Sequence, residues 1–245
     1  MLKRLYDKSK IWFAITWIVA YCVLMSVGDY FSVLIGVEKS ITLAISLGLS
    51  IILVWFLTKH KLLKEHGICK SDVKAKNMLF YIPILIMLTA NLWYGLTLNY
   101  GVMETIFYVL TMLFVGLLEE IIFRGLLFNG MKQESLKAAI IVSSITFGMG
   151  HIINLFNGSG MQLISNLLQV VYATAAGFMF VMIYYKSGSL LLCIASHGLF
   201  NALSAFSNEA NATIEVQMIS AILLAIITGG YALYLAMSLK KNKEV

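Results

Sequence analysis

Charge is scarce in this chain and proline scarcer still. Of 245 residues only 12% are Asp, Glu, Lys or Arg, a single proline stands at Pro83, and 60% are apolar, with a mean hydropathy of +0.87. No water-soluble domain of this size hides so much apolar surface, so the composition excludes one and points to an integral membrane protein. Cysteine is equally sparse. Cys22 and Cys193 fall in different apolar runs and Cys69 in a polar loop, which excludes a disulfide framework and predicts free thiols. No internal repeat, low-complexity tract or soluble domain interrupts the chain. The net charge of +6 is therefore an orientation signal and an attraction to anionic lipid, and no nucleic-acid partner is expected.

What the sequence does contain is a series of apolar runs able to cross about 30 Å of hydrocarbon. Eight are predicted, near 11–35, 41–58, 78–98, 105–128, 138–156, 162–185, 189–206 and 217–239. The expected fold is an all-α polytopic membrane bundle of about eight transmembrane helices with both termini cytoplasmic. In that arrangement 17 of the 18 basic residues fall on or near one face and only Lys39 on the other. The first run follows KRLYDKSK but continues past 20 residues with no small-residue cleavage site before Asp29, so it is read as retained. The basic segment 59–77 (KHKLLKEHGICKSDVKAKN) divides the chain. Residues 1–77 supply two helices and that loop, expected to lie on the membrane surface as a short amphipathic piece. Residues 78–245 form a six-helix core. The outer loops 156–161 and 207–216 contain no basic residue. The lysine- and isoleucine-rich composition suits a low-GC bacterium, hence a bacterial plasma membrane.

Ionisable residues inside the runs are few and grouped: Glu119, Glu120 and Arg124, then His151, then His197, with Asp29 near an outer end. A charge at a helix centre costs roughly 2.5–3.5 kcal/mol on insertion scales and usually faces the bundle interior or a wet cavity. At roughly 100° per residue, Glu120 and Arg124 share a face and Glu119 lies about 100° away. Arg124 then neutralises Glu120, and Glu119 points elsewhere, as a general base would. The alternative is an ion pair that only joins helices, with Glu119 reaching to water. In FGMGH (147–151), Gly148 and Gly150 let a neighbouring helix or a substrate backbone approach His151. In SHGLFN (196–201), His197 and Asn201 lie one turn apart, about 6 Å along the axis, and can donate to one developing oxyanion. An interhelical hydrogen-bonded pair is the alternative there.

EEIIFR (119–124), FGMGH and HGLFN (197–201) resemble, in order and approximate spacing, the EExxxR, FxxxH and HxxxN motifs of the CPBP intramembrane proteases. That family includes type II CAAX prenyl endopeptidases and bacteriocin-processing or bacteriocin-immunity proteins. The resemblance implies that Glu119 activates water with His151 holding it, that His197 and Asn201 bind the oxyanion, and that Glu120 with Arg124 stabilises the site. The expected function is an intramembrane endopeptidase acting on a peptide or membrane-anchored protein substrate, in a cavity reached from the cytoplasmic side. A non-enzymatic immunity or sequestering protein is the alternative. A zinc ion held by Glu119, His151 and His197 is chemically admissible, yet no HExxH helix supplies paired ligands, so no obligatory cofactor is expected. A proton-relaying transporter fits less well, because paired broken helices and repeat symmetry are lacking.

Overall fold

The computed structural model describes residues 2–73, 82–157 and 161–241. They are almost wholly helical. A short helix α1 (Leu2–Lys8) precedes α2 (Lys10–Ile35), which starts where the Ser9 hydroxyl accepts from Trp12 N and stops at Gly36, in the left-handed region with φ 75°. There follow α3 (Ser40–Lys59), α4 (Ile82–Thr89) with a 3₁₀ turn Ala90–Leu92, and α5 (Val102–Glu119). α5 runs on without a break as a π-helical stretch, Glu120–Phe128, and a last turn, Asn129–Met131. Then come α6 (Leu136–Gly150) with a 3₁₀ turn His151–Leu155, α7 (Leu163–Ser187), α8 (Leu191–Leu203) with Ser204–Phe206, and α9 (Ile214–Lys241).

Six of these helices are long and apolar enough to cross a bilayer: 10–35, 40–59, 102–131, 136–155, 163–187 and 214–238. Two of the eight predicted spans are shorter than expected. The run 78–98 yields a helix only over Ile82–Leu92, and 189–206 one over Leu191–Phe206. Residues 74–81 lie outside the described part. The cause of the shortening is visible between Trp93 and Gly101. Gly95 turns the backbone at φ 94°, Leu96 bridges to Ser207, and Asn99 Nδ2 donates to the Ala205 and Ser207 carbonyls. Those residues are apolar or neutral, so hydropathy joins them to the helix, although their backbone groups are spent on a loop-to-loop contact.

The connections gather at two ends, as alternating spans require. At one end Asp72 N donates to Ser187 O and Leu190 N to Gly67 O. At the other, Glu38 N donates to Glu104 and Asn211 Nδ2 to Tyr94 O. The first end carries the basic connections and the second carries Lys39, which is paired with Asp29 at 2.8 Å.

The basic loop departs from expectation. Its described part, 60–73, is a chain of turns folded down onto the bundle and contains no helix. His66 is 1% exposed, with Nδ1 2.6 Å from the Gly125 carbonyl and Nε2 2.8 Å from the Tyr6 hydroxyl. Gly67 is required there, since it sits at φ 79° and a Cβ would run into the Tyr184 ring. The loop's lysines mark its outer side, while its hydrogen bonds and His66 hold the inner side to the protein.

Candidate active site

α5 brings its charged residues to the centre because it lies between two apolar clusters, one built on α2 and α3, the other on α7, α8 and α9. Where α8 meets α5 the backbones nearly touch: a Cβ on Gly116 would lie 2.5 Å from Gly198 N. This approach of two glycines seats His197 directly against the start of the π-helical stretch. A wider turn also leaves backbone carbonyls available to other partners. Phe123 O accepts from Ser143 Oγ at 2.8 Å, and Gly125 O receives His66.

The wheel assignment of the two glutamates holds. Glu120 and Arg124 are both fully buried and paired at 3.0 Å. The guanidinium lies 4.1 Å from the Phe147 ring centroid and 5.5 Å from that of Phe180, a cationic environment with aromatic faces instead of water. Glu119 points to the other side, where Tyr21 Oη donates to its Oε1 at 2.7 Å.

His197 joins the two carboxylates. Its Nδ1 lies 2.9 Å from Glu120 Oε1 and its Nε2 3.4 Å from Glu119 Oε2, while Phe180 stacks on the ring. Both nitrogens therefore face glutamates and neither pairs with Asn201. This differs from the shared-donor expectation for 197 and 201, and the close contact of Gly116 with Gly198 is the reason. Arg124, Glu120, His197 and Glu119 form one buried chain that ends at Glu119 Oε2, an oxygen with no hydrogen-bond partner among the described residues.

His151 ends α6 and opens the 3₁₀ turn, its Nδ1 3.1 Å from Phe147 O. No ion pair within 4.0 Å joins it to either glutamate among the described residues, and it lines the same cavity as Glu119. Asn201 leaves its carboxamide without a side-chain partner among the described residues. His151, His197 and Asn201 converge on a space of about 40 Å³. Glu119, His151 and Asn201 also share the wall of a larger cavity of about 310 Å³. The two glycines of FGMGH separate their tasks: Gly148 meets Thr174 of α7, whereas Gly150 has open space before it and lines the larger cavity.

The described walls of that cavity extend away from the basic loops. From Glu119 and Phe123 it runs past Tyr21, Cys22 and Ser26 to Asp29, Lys39 and Asn157, at the end opposite the basic loops. None of its lining residues comes from 59–73, 132–135 or 187–190. Among the described residues, the His66 loop and the buried stretch from Glu120 to Phe128 lie towards the basic face.

Tyr21 is the member of the site that sequence reasoning missed. A tyrosine in an apolar run has no signal beyond a polar tip that needs a partner when buried. Among the described residues no group of three or more His, Cys, Asp or Glu side chains is placed to hold a metal ion.

Residues 101–203 match the family model of the type II CAAX prenyl endopeptidase Rce1-like proteins. The matched stretch runs from the start of α5 through α8 and contains all three motifs. The resemblance to the CPBP family is thus shown over that stretch. No curated protein matches the chain.

Proposed function

We propose that this multi-pass membrane protein is an intramembrane endopeptidase in which Glu119 activates water for attack on a peptide carbonyl. The observation that carries the proposal is the chain Arg124, Glu120, His197, Glu119, whose last carboxylate belongs to the wall of a cavity. A structural ion pair accounts for Glu120 and Arg124. It gives no reason for a second carboxylate on the wall of a cavity.

In this mechanism Tyr21 and His197 hold the Glu119 carboxylate, which is the proton acceptor. Water in the cavity lined by Glu119 and His151 gives its proton to Glu119, and the hydroxide oxygen bonds to the carbonyl carbon. The carbonyl π electrons move to oxygen, where Asn201 Nδ2 donates to the oxyanion, with His151 on the same wall as second donor. Collapse breaks the C–N bond, and Glu119 returns the proton to the departing amine. Glu120, fixed by Arg124, orients His197, which supports the charge on Glu119 through each proton transfer. No metal takes part in these steps.

The test compares purified wild type with Glu119→Gln on a peptide library in detergent. New N-termini produced by the wild type and absent with the variant are the expected result. Equal product lists from two folded proteins would leave a sequestering protein as the better account.

A further inference from the structure

On the outside of the bundle, away from the residues of the candidate active site, α6, α7 and α9 line a groove of about 740 Å³. Its walls are apolar over most of their length, with Ile141 from α6, Val171 and Phe178 from α7 and Leu233 from α9. Thr174 also lines it, but its hydroxyl already donates to the Val170 carbonyl of its own helix. Polar side chains gather at one end, where α6 contributes Lys137 and α7 contributes Tyr185. That end carries the basic connections, since 132–135 leads into α6 and 187–190 follows α7.

Along α7 the groove runs from Val171 to Tyr185, and along α9 from Ala225 to Ala236. At 1.5 Å per residue these stretches are about 21 Å and about 17 Å long. One leaflet of a bilayer supplies about 15 Å of hydrocarbon, so the groove is one leaflet deep, with Lys137 at headgroup level. Lys137 is exposed, and among the described residues no ion pair or hydrogen bond holds its ammonium. It stands in the first turn of α6, where the helix dipole disfavours a cation. The ammonium and the dipole both favour an anion at that point. A second copy of the chain fits the groove less well. Copies in one membrane share an orientation, so a symmetric contact brings two Lys137 side chains to the same depth, and no Asp or Glu among the described lining residues offsets them.

We infer that this groove binds an anionic phospholipid of the leaflet on the basic side. One acyl chain lies along α7 between α6 and α9, and Lys137 with the first turn of α6 holds the phosphate. The inference does not depend on the endopeptidase reading, although the groove backs onto the candidate site. Thr174 on its wall is the residue that Gly148 meets, and the Gly177 carbonyl, one turn along α7, accepts from Arg124 at 3.4 Å. A lipid in the groove braces α6 against α7 behind Arg124.

The test gives delipidated protein in detergent either phosphatidylglycerol or phosphatidylcholine with the same acyl chains, and reads retained lipid by native mass spectrometry and the melting temperature. Wild type should retain one phosphatidylglycerol in preference to phosphatidylcholine and melt higher with it. Lys137→Gln should reduce that preference by about fivefold or more, because one basic residue beside an anionic headgroup contributes roughly 1 kcal/mol, and Lys137→Arg should keep it. Lys70→Gln, at an exposed position of the basic loop outside the groove, should leave it unchanged. Gly229→Leu fills the groove from α9, where a Cβ meets only Ala175 at 3.8 Å, and should lower retention of both lipids. Preference unchanged in Lys137→Gln, preference lost equally in Lys70→Gln, or retention unchanged in Gly229→Leu would each overturn the inference. So would a lipid-free dimer that Leu233→Ala dissolves, since a second copy would then occupy the groove.

Discussion

At the scale of single residues, the two glutamates predict different defects. Glu119→Gln removes the proposed base while keeping shape and the Tyr21 contact, so turnover should fall by about 10²- to 10⁴-fold with the melting temperature nearly unchanged. Glu120→Gln strips a fully buried Arg124 of its counter-charge, and breaking such a pair costs roughly 3–5 kcal/mol. Protein abundance and melting temperature should drop along with activity, and a stable but inactive Glu120→Gln beside an active Glu119→Gln would reverse the assignment. Asn201→Ala removes a donor that matters only once the oxyanion exists, so turnover should fall by about 10²- to 10³-fold at saturating substrate while KM barely moves. A destabilised Asn201→Ala enzyme with wild-type turnover would return the residue to helix packing. These positions were legible in the sequence because intramembrane charge is rare and needs a partner. The partners across helices were less so: the wheel gave Glu120 to Arg124 within one helix, but the reach of His197 to both glutamates depends on how closely two helices approach.

That closeness is a property of elements. Gly116 and Gly198 let α5 and α8 meet backbone to backbone, so Gly116→Ala should force them apart and cost about 1–3 kcal/mol of stability, with activity lost as His197 withdraws. Gly150→Ala meets nothing within 4 Å and serves as the contrast: its melting temperature should hold. The π-helical stretch could not be foreseen from 3.6-residue periodicity, because it is fixed by groups far away in sequence, Ser143 on Phe123 O and His66 on Gly125 O. The second of these makes a pH prediction. Burial pushes the His66 imidazole below its ordinary value, against the opposing pull of the Gly125 carbonyl and Glu65. With the folded value depressed, the unfolded chain takes up a proton first as pH falls through about 6.5, so this residue's contribution is intact above that pH and lost below it. Melting temperatures measured between about pH 7 and pH 5 should fall more steeply for wild type than for His66→Gln, and parallel slopes would show that His66 does not titrate against folding.

For the whole molecule, hydropathy and charge located the apolar helices well, and 11–35 or 162–185 differ from α2 and α7 by one or two residues. They could not separate a span from a short helix followed by a neutral loop, because Leu96 is as apolar as the helix before it yet serves the outer contact with Ser207. Nor could they say which loop folds inward, as 60–73 does despite its lysines. The charge distribution still makes the sidedness of the molecule testable. Ser71 lies in the basic loop that bonds to Ser187, and Ala210 in the exposed connection whose Asn211 bonds to Tyr94, at opposite ends of the helices. If 17 of 18 basic residues orient the chain, Ala210→Cys should react with an impermeant maleimide in intact cells, and Ser71→Cys only after the membrane is opened. Reaction of both in intact cells would mean that these two connections share a face. That result is incompatible with the odd number of membrane crossings between them.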